Sequence, residues 1–454
     1  MQESRVTEES GEEIVSCATV DGLPFLGALL PLWHDALGFF TRTLRQYGDR
    51  VRLRVLGQKV LLLAHPADME AVLVNDRESY GRSAEVRNLR PIFGDGLLAS
   101  DGELWRRQRR LIQPKFSHST VREYADVMVE CITAQIAHWQ SGEVRDLKLE
   151  MMTFTRDVVC RALFGREPSA DAQSIAEAVT IVFGDLRTQI LYLPVWRRLP
   201  LSRSRRWNRA VGVLNRTIQN MIAERRRSGE AYTDLLGLLI SARDEDGNIM
   251  SDQQIHDEVL TMFLAGHETS AVLLSWAVVL LIIHPEIQEA AAAEVHAVLD
   301  KERLRADRLP QLRLLNAIVQ ETLRLYPPVW SLGRSVVQDT TLGGLSVTRG
   351  THVWLCIYAL HHDERWHPEP ERFHPQRWLD QGTQKRFSFL PFGAGPRMCI
   401  GQHFAMTEAV LGLAAMLARF RLLPTEESVP KMEAWVTLRP RGEVGVRLER
   451  RRSV

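Results

Sequence analysis

Two stretches of this chain hold residue types that are hard to explain unless they do chemistry. "FLPFGAGPRMCIGQHFAM" (Phe389–Met406) sets one cysteine, Cys399, among Gly393, Gly395 and Gly401, with Phe392 and Arg397 close by. A thiolate is a nucleophile and a soft metal ligand, and glycines allow backbone to approach it closely. A lone cysteine is more often an inert, small apolar residue, so the loop by itself leaves both readings open. "AGHETS" (Ala265–Ser270) places Gly266, Glu268 and Thr269 inside a long apolar helical pattern. Glycine costs ~1 kcal/mol there relative to alanine, a buried carboxylate needs a partner, and threonine can bond back one turn and bend the helix. This is either a tolerated kink with a satisfied acid, or a distorted turn that opens room for a small ligand. In the second case an acid and an alcohol stand beside the ligand, as proton delivery requires.

Shorter patterns surround these. In "ELWRRQRRLIQPKF" (Glu103–Phe116) Trp105 and Arg109 are four apart, so an indole N–H and a guanidinium share one side of a helix, which suits a buried anion. Arg106 and Arg107 read as a solvated basic face. "ETLR" puts Glu321 and Arg324 on one face of an apolar helix. Exposed pairs of this kind are weak. "WHPEPERFHPQRW" (Trp366–Trp378) carries Arg372 and Arg377. If Arg372 folds back onto Glu321 and Arg324, a buried network forms that fixes loop geometry more than it adds stability.

The elements that must position these groups are mostly helical. Ser251 with Gln254 forms a capping-box pattern ahead of more than thirty residues that become apolar all round and break at Pro285, the mark of a helix running through a core. Helices follow at 285–300, about 309–325 and from Gly401 to about Phe420. Val51–Pro66 reads as a hairpin turning at Leu56-Gly57, and short β-like pieces recur after Pro328. The expected fold class is mainly α with smaller β-sheets, with residues 1–20 as a loose tail. The 454 residues alone suggest two or three domains, yet no linker or composition break divides 21–450.

Composition excludes several classes. With 57 basic and 56 acidic residues there is no general attraction to nucleic acid or anionic membrane. The 5 cysteines are odd in number and never spaced as CxxC, against a disulfide framework or zinc site and in favour of a reducing compartment. The start is acidic and polar, unlike a signal peptide, and "LPFLGALLPLW" is too short to span a bilayer. A cytoplasmic protein with no membrane anchor is expected.

Together the motifs resemble the cytochrome P450 family of haem-thiolate monooxygenases. The match to the family's haem loop falls on Phe392, Gly393, Gly395, Arg397, Cys399 and Gly401, and that to its distal-helix motif on Ala265, Gly266, Glu268 and Thr269. Glu321 and Arg324 match its Glu-x-x-Arg, Arg372 its further arginine, and Trp105 and Arg109 its Trp-x-x-x-Arg. The resemblance overturns the domain count and implies one triangular unit over 21–454 with a long kinked central helix. It implies haem b with Cys399 as the iron ligand, a thiolate that favours O–O cleavage, beside Gly401 and the start of a helix whose dipole favours it. Arg397, Trp105, Arg109 and Arg334 would meet the propionates and Phe392 would pack on the haem. Ala265 and Gly266 would leave room for O2, with Thr269 and Glu268 as the proton relay.

Substrate would be hydrophobic, a terpenoid, steroid or fatty acid, lined by Leu97, Leu98, Val329, Trp330, Val436, Thr437 and the segment Ile181–Leu193. NAD(P)H would act through a separate ferredoxin or flavodoxin and its reductase, docking on Arg106, Arg107, Arg110 and Lys115, with the protein a monomer. The alternatives on the same residues are a peroxygenase or isomerase, and a haem-based sensor without turnover. The acid–alcohol pair favours the monooxygenase.

Overall fold

A computed structural model describes residues 17–451, apart from 21, 24–25, 166–176, 179–180, 183–201, 229–231, 233, 244–246, 248, 300–303 and 380–383. Its main sheet is built from β1 (Ala18–Val20), β2 (Arg50–Val55), β3 (Gln58–Leu63), β4 (Tyr80–Arg82), β5 (Leu332–Val336) and β6 (His352–Leu355), in the order β1-β2-β3-β6-β5-β4. The expected hairpin is β2–β3, and its two turn residues, Leu56 (φ 48°) and Gly57 (φ 77°), both adopt positive φ. Such turns match the twist of the strands they join. Ala18–Val20, expected in the tail, instead pairs in parallel with Val51–Leu53, because alternating small and branched residues can complete the open edge of β2. The rest of the expected tail, 1–16, lies outside the described residues.

The core belongs to helices. Six of them position the site: α1 (Leu29–Tyr47), α2 (Gly102–Ile112), α3 (Leu147–Val158), α4 (Asp252–Ile283), α5 (Arg313–Leu325) and α6 (Gln402–Arg419). The cap of α4 is the expected one, Gln254 N–H donating to Ser251 Oγ at 3.2 Å. This helix is long and apolar enough to cross a membrane by length and composition, but 83% of its apolar window is buried against the rest of the protein. It is a core helix. Trp276 fixes its second half, stacked on Tyr326 at 4.1 Å and donating from Nε1 to Leu438 O at 2.8 Å. The turn Ala265–Ser270 remains helical. Thr269 Oγ1 donates to Ala265 O at 2.7 Å without breaking the ladder, so the room there comes from small side chains and not from an opened turn.

Candidate active site

Cys399 sits between a glycine-rich turn and the start of α6. Gly393 and Gly395 hold φ of 69° and 70°, and a Cβ on Gly395 would stand 2.1 Å from Leu73 O, so no other residue fits there. The Cys399 N–H donates to Phe392 O at 2.9 Å, which closes the loop. Gly401 (φ −89°) needs no special conformation; it is the N-cap of α6. The Cys399 residue is exposed, yet protein packs closely around its sulfur. Burial pushes the thiol up, and the Gly401 N–H and the Arg109 guanidinium offset only part of that rise.

Next to this loop, guanidiniums converge from three elements. Arg82 on β4 and Arg334 on β5 are direct register partners, and Arg397, just before Cys399, faces both. Like charges placed opposite each other in a sheet repel. Burial and these neighbours lower Arg82 to about 9 and Arg334 to about 10, and the carboxylate opposing that shift is Asp101, which is paired with Arg397. Among the described residues, three cations thus share one acid. The donor set therefore fits a group carrying two carboxylates beside a soft metal ligand. Trp105 belongs here, its ring 4.4 Å from the Arg397 guanidinium. Sequence reasoning missed Arg82, whose signal is only a basic residue closing the short strand "YGR".

Arg109 departs from expectation. It donates from Nη1 to Met398 O at 2.8 Å and from Nε to Gln113 Oε1 at 3.1 Å, so it braces the cysteine loop, and its nearest opposing charge is Cys399. One turn beyond Trp105, its guanidinium reaches the Met398 carbonyl of the cysteine loop. With Arg106, Arg110, His118 and His403 it lines a concave surface of ≈ 690 Å³ that includes Cys399. Arg107 is half-buried and does not line it.

On α4, whose neighbouring turns are buried, Ala265 is exposed and Gly266 and Thr269 partly so. Glu268 points elsewhere: Thr437 Oγ1 donates to its Oε1 at 2.8 Å, and burial pushes its carboxyl up to about 7. Thr437, expected to line the substrate, is thereby committed to an acid. Trp330 is committed too, packing on Phe40 at 5.7 Å and donating from Nε1 to Trp435 O at 2.9 Å. Val329 and Val436 are half-buried on the segments that this bond and the Leu438 N–H to Pro328 O bond (2.9 Å) hold together. Leu97 N–H donates to Glu258 Oε2 at 3.0 Å, which fastens Leu97 and Leu98 onto α4. The expected lining at 183–193 lies outside the described residues.

The Glu321–Arg324 pair is fully buried, but Arg372 is not its third member. The Arg372 guanidinium pairs with exposed Glu369 and only its carbonyl meets Arg324. Arg377 takes the place, Nε to Glu321 Oε1 at 3.1 Å, and Trp378 Nε1 donates to Oε2 at 2.7 Å.

A cysteine loop at a helix start thus stands beside a cluster of three arginines, with a buried Glu–Arg–Arg network elsewhere in the fold. The sequence profile described as Cytochrome P450 matches residues 19–446. The chain belongs to the cytochrome P450 family. It is 35% identical over 409 residues to cyclooctat-9-en-7-ol 5-monooxygenase of Streptomyces melanosporofaciens, covering 88% of each chain. To pentalenene oxygenase of Streptomyces avermitilis it is 34% identical over 403 residues, covering 88% of this chain and 90% of the relative. The crystal structure of the cytochrome P450DA haem domain superimposes with a TM-score of 0.87 at 27% identity, over 97% of this chain and 99% of that one. This cytochrome P450 is thus a haem monooxygenase of mainly helical fold.

One buried acid of this P450 lies outside the motifs. Glu408 on α6 is fully buried, and burial pushes it up to about 8 against the smaller opposing pull of the Ser270 side chain. The folded state keeps its proton up to that pH, whereas the unfolded chain releases it near 4.5, so stability falls as pH rises between these values. Glu408→Gln, which cannot titrate, is expected to flatten that alkaline decline. Melting temperatures measured from pH 5 to 9 test this, and parallel curves for both proteins would contradict it.

Proposed function

We propose that this cytochrome P450 oxygenates a hydrophobic, terpenoid-like small molecule, with haem b ligated by Cys399, O2 as co-substrate and electrons delivered by a separate protein. The observation that carries the site assignment is the surplus of positive charge at Arg82, Arg334 and Arg397 beside the cysteine loop. Two propionates would neutralise it, and in doing so would orient the haem over Cys399. When bound, the haem supplies an electron-rich iron at which dioxygen is cleaved. The chain supplies the surroundings. The Gly401 N–H and the start of α6 favour negative charge on the sulfur. Ala265 and Gly266 leave space on the distal helix, and Thr269 holds a hydroxyl there. Glu268, poised near neutrality and reached through Thr437, can store a proton behind that turn.

The terpenoid class is favoured by the names of the two Streptomyces relatives and by the apolar character of Leu97, Leu98, Val329 and Val436. A ferredoxin or flavodoxin, served by an NAD(P)H-dependent reductase, would dock on the concave face of Arg106, Arg109 and Arg110, where opposite charge speeds encounter. The same reading takes the chain from Ala18 onward as one catalytic unit, a cytoplasmic monomer.

The test is titration of the ferric protein with terpenoid hydrocarbons and alcohols, steroids and fatty acids, followed by product analysis with surrogate redox proteins. Saturable haem spectral shifts and oxygenated products from terpenoids are expected. Shifts with fatty acids or steroids alone would overturn the substrate class.

A further inference from the structure

The turns between Asp95 and Ser100 carry Leu97 and Leu98, which the proposed function puts on the substrate wall, and they are gripped from two directions. From α4, Asp257 Oδ2 accepts the Asp95 N–H at 2.9 Å and Glu258 Oε2 accepts that of Leu97 at 3.0 Å. From the other side the loop carbonyls are held: Gln108 Nε2 donates to Asp95 O at 2.7 Å, and Arg82 donates from Nη2 to Leu97 O at 2.9 Å and from Nε to Ser100 O at 3.3 Å. The Arg82 N–H also donates to Asp101 Oδ2 at 3.2 Å. Arg82 therefore has the loop on one side and Arg334 and Arg397 on the other.

We propose that Arg82 is a positioning residue that couples the haem carboxylates to the loop bearing Leu97 and Leu98, so that loading the cofactor also sets the substrate wall. The inference rests on the haem assignment above. A guanidinium pressed against two others, with one carboxylate nearby, is driven outward by repulsion. Carboxylates in the cluster reverse that force and hold Arg82 where its Nε and Nη2 meet the loop carbonyls. When those carboxylates lose their charge, Arg82 relaxes, Leu97 O loses its donor, Ser100 O keeps only the long bond from Arg397 Nη1 (3.5 Å), and the loop otherwise hangs from α4 and Gln108. Depressed basicity of Arg82, to about 9, reflects the same crowding.

The test keeps the haem but removes its charge. Hydrogen exchange of the peptide spanning 93–101 is compared in protein loaded with haem and with haem dimethyl ester, for the wild type and for Arg82→Met. In the wild type, esterification is expected to speed exchange about tenfold, since opening of the loop then costs two fewer hydrogen bonds. In Arg82→Met exchange is fast with either cofactor, so the two changes do not add. A merely structural arginine would speed exchange on substitution but leave the response to esterification intact, and that result overturns the proposal. So does a wild type indifferent to esterification. If Arg82→Met fails to take up haem, Arg82→Lys is read instead. Its single ammonium cannot serve the carboxylates and both carbonyls, so its response is expected to fall below half that of wild type, and a full response overturns the coupling. A wild type that shows no thiolate-type reduced-CO spectrum overturns the haem assignment and this inference together. A normal spectrum with unchanged exchange overturns this inference alone.

Discussion

Glu321→Ala is expected to destabilise the protein by about 3–5 kcal/mol and to yield protein that loads little haem. The carboxylate is the centre of its network: Oε1 accepts from Arg324 Nη2 at 2.8 Å, the His374 N–H at 3.0 Å and Arg377 Nε at 3.1 Å, while Oε2 accepts from Arg324 Nε at 3.0 Å and Trp378 Nε1 at 2.7 Å. Burial alone would push this acid up, but the bonds and charge of Arg324 prevail and hold it below the usual carboxylate range. Its contribution is therefore present above the unfolded pKa and lost as pH falls through the depressed folded one. Removing it strands the Arg324 guanidinium, fully buried, with only the carbonyls of His361, Pro370 and Arg372. The damage travels to the cysteine, because His361 also accepts the Leu390 N–H on its Nε2 at 2.9 Å, and Leu390 O accepts the Gly393 N–H at 3.0 Å in the turn before Cys399. Urea unfolding of three variants separates the arms. Arg377→Ala should cost about 1–3 kcal/mol through the bond it removes from a buried carboxylate, and exposed Arg372→Ala less than about 0.5 kcal/mol. Equal losses from Arg372→Ala and Arg377→Ala would refute the assignment of the third arm.

That assignment also marks how far the sequence could be read. Pro370–Phe373 and Pro375–Trp378 both spell Pro-x-Arg-aromatic, so spacing offers two equivalent arginines. The choice is made by the loop's path, which carries His374 N–H and Trp378 to Glu321 and leaves Arg372 pointing at Glu369. The cysteine turn was legible because positive φ and close approach to Leu73 O permit only glycine, a constraint that acts on the residue type itself. The apolar period of α4 fixed its burial in the same direct way. Arg82 was missed, and the bond of Arg109 to Met398 O was not foreseen, because arginine is long. Helical spacing says which side the Cα faces but not whether the guanidinium ends at the cluster or at Met398 O. Thr437 was taken for substrate wall because nothing in "WVTL" announces that its hydroxyl serves Glu268 from across the fold. Contacts between distant segments, set by packing and not by local pattern, are where reading the chain alone stopped.

Cys399→Ser is expected to abolish most oxygenation while leaving a folded protein. Serine is nearly isosteric, and the surrounding turn is held by groups that do not depend on sulfur: Gly393 and Gly395 at positive φ, the Cys399 N–H to Phe392 O bond, and Arg109 Nη1 on Met398 O. Unfolding midpoints should therefore stay within about 1 kcal/mol of wild type. The chemistry should not survive as well. The Gly401 N–H and the α6 N-terminus are aimed at whatever anion occupies this position, and an oxygen ligand donates less electron density to iron than a thiolate does. The reduced-CO band should move to shorter wavelength, and product formation at a fixed electron supply should fall by about two orders of magnitude or more. Cys17→Ser, Cys131→Ser and Cys356→Ser provide the contrast. Burial raises all three thiols, that of Cys131 to about 11, as it raises Cys399; what sets Cys399 apart is its place beside Arg397 and at the start of α6. Their spectra should match wild type. A normal reduced-CO band in Cys399→Ser, or its loss in any one of the other three, would move the iron ligand away from Cys399 and undo the site built around it.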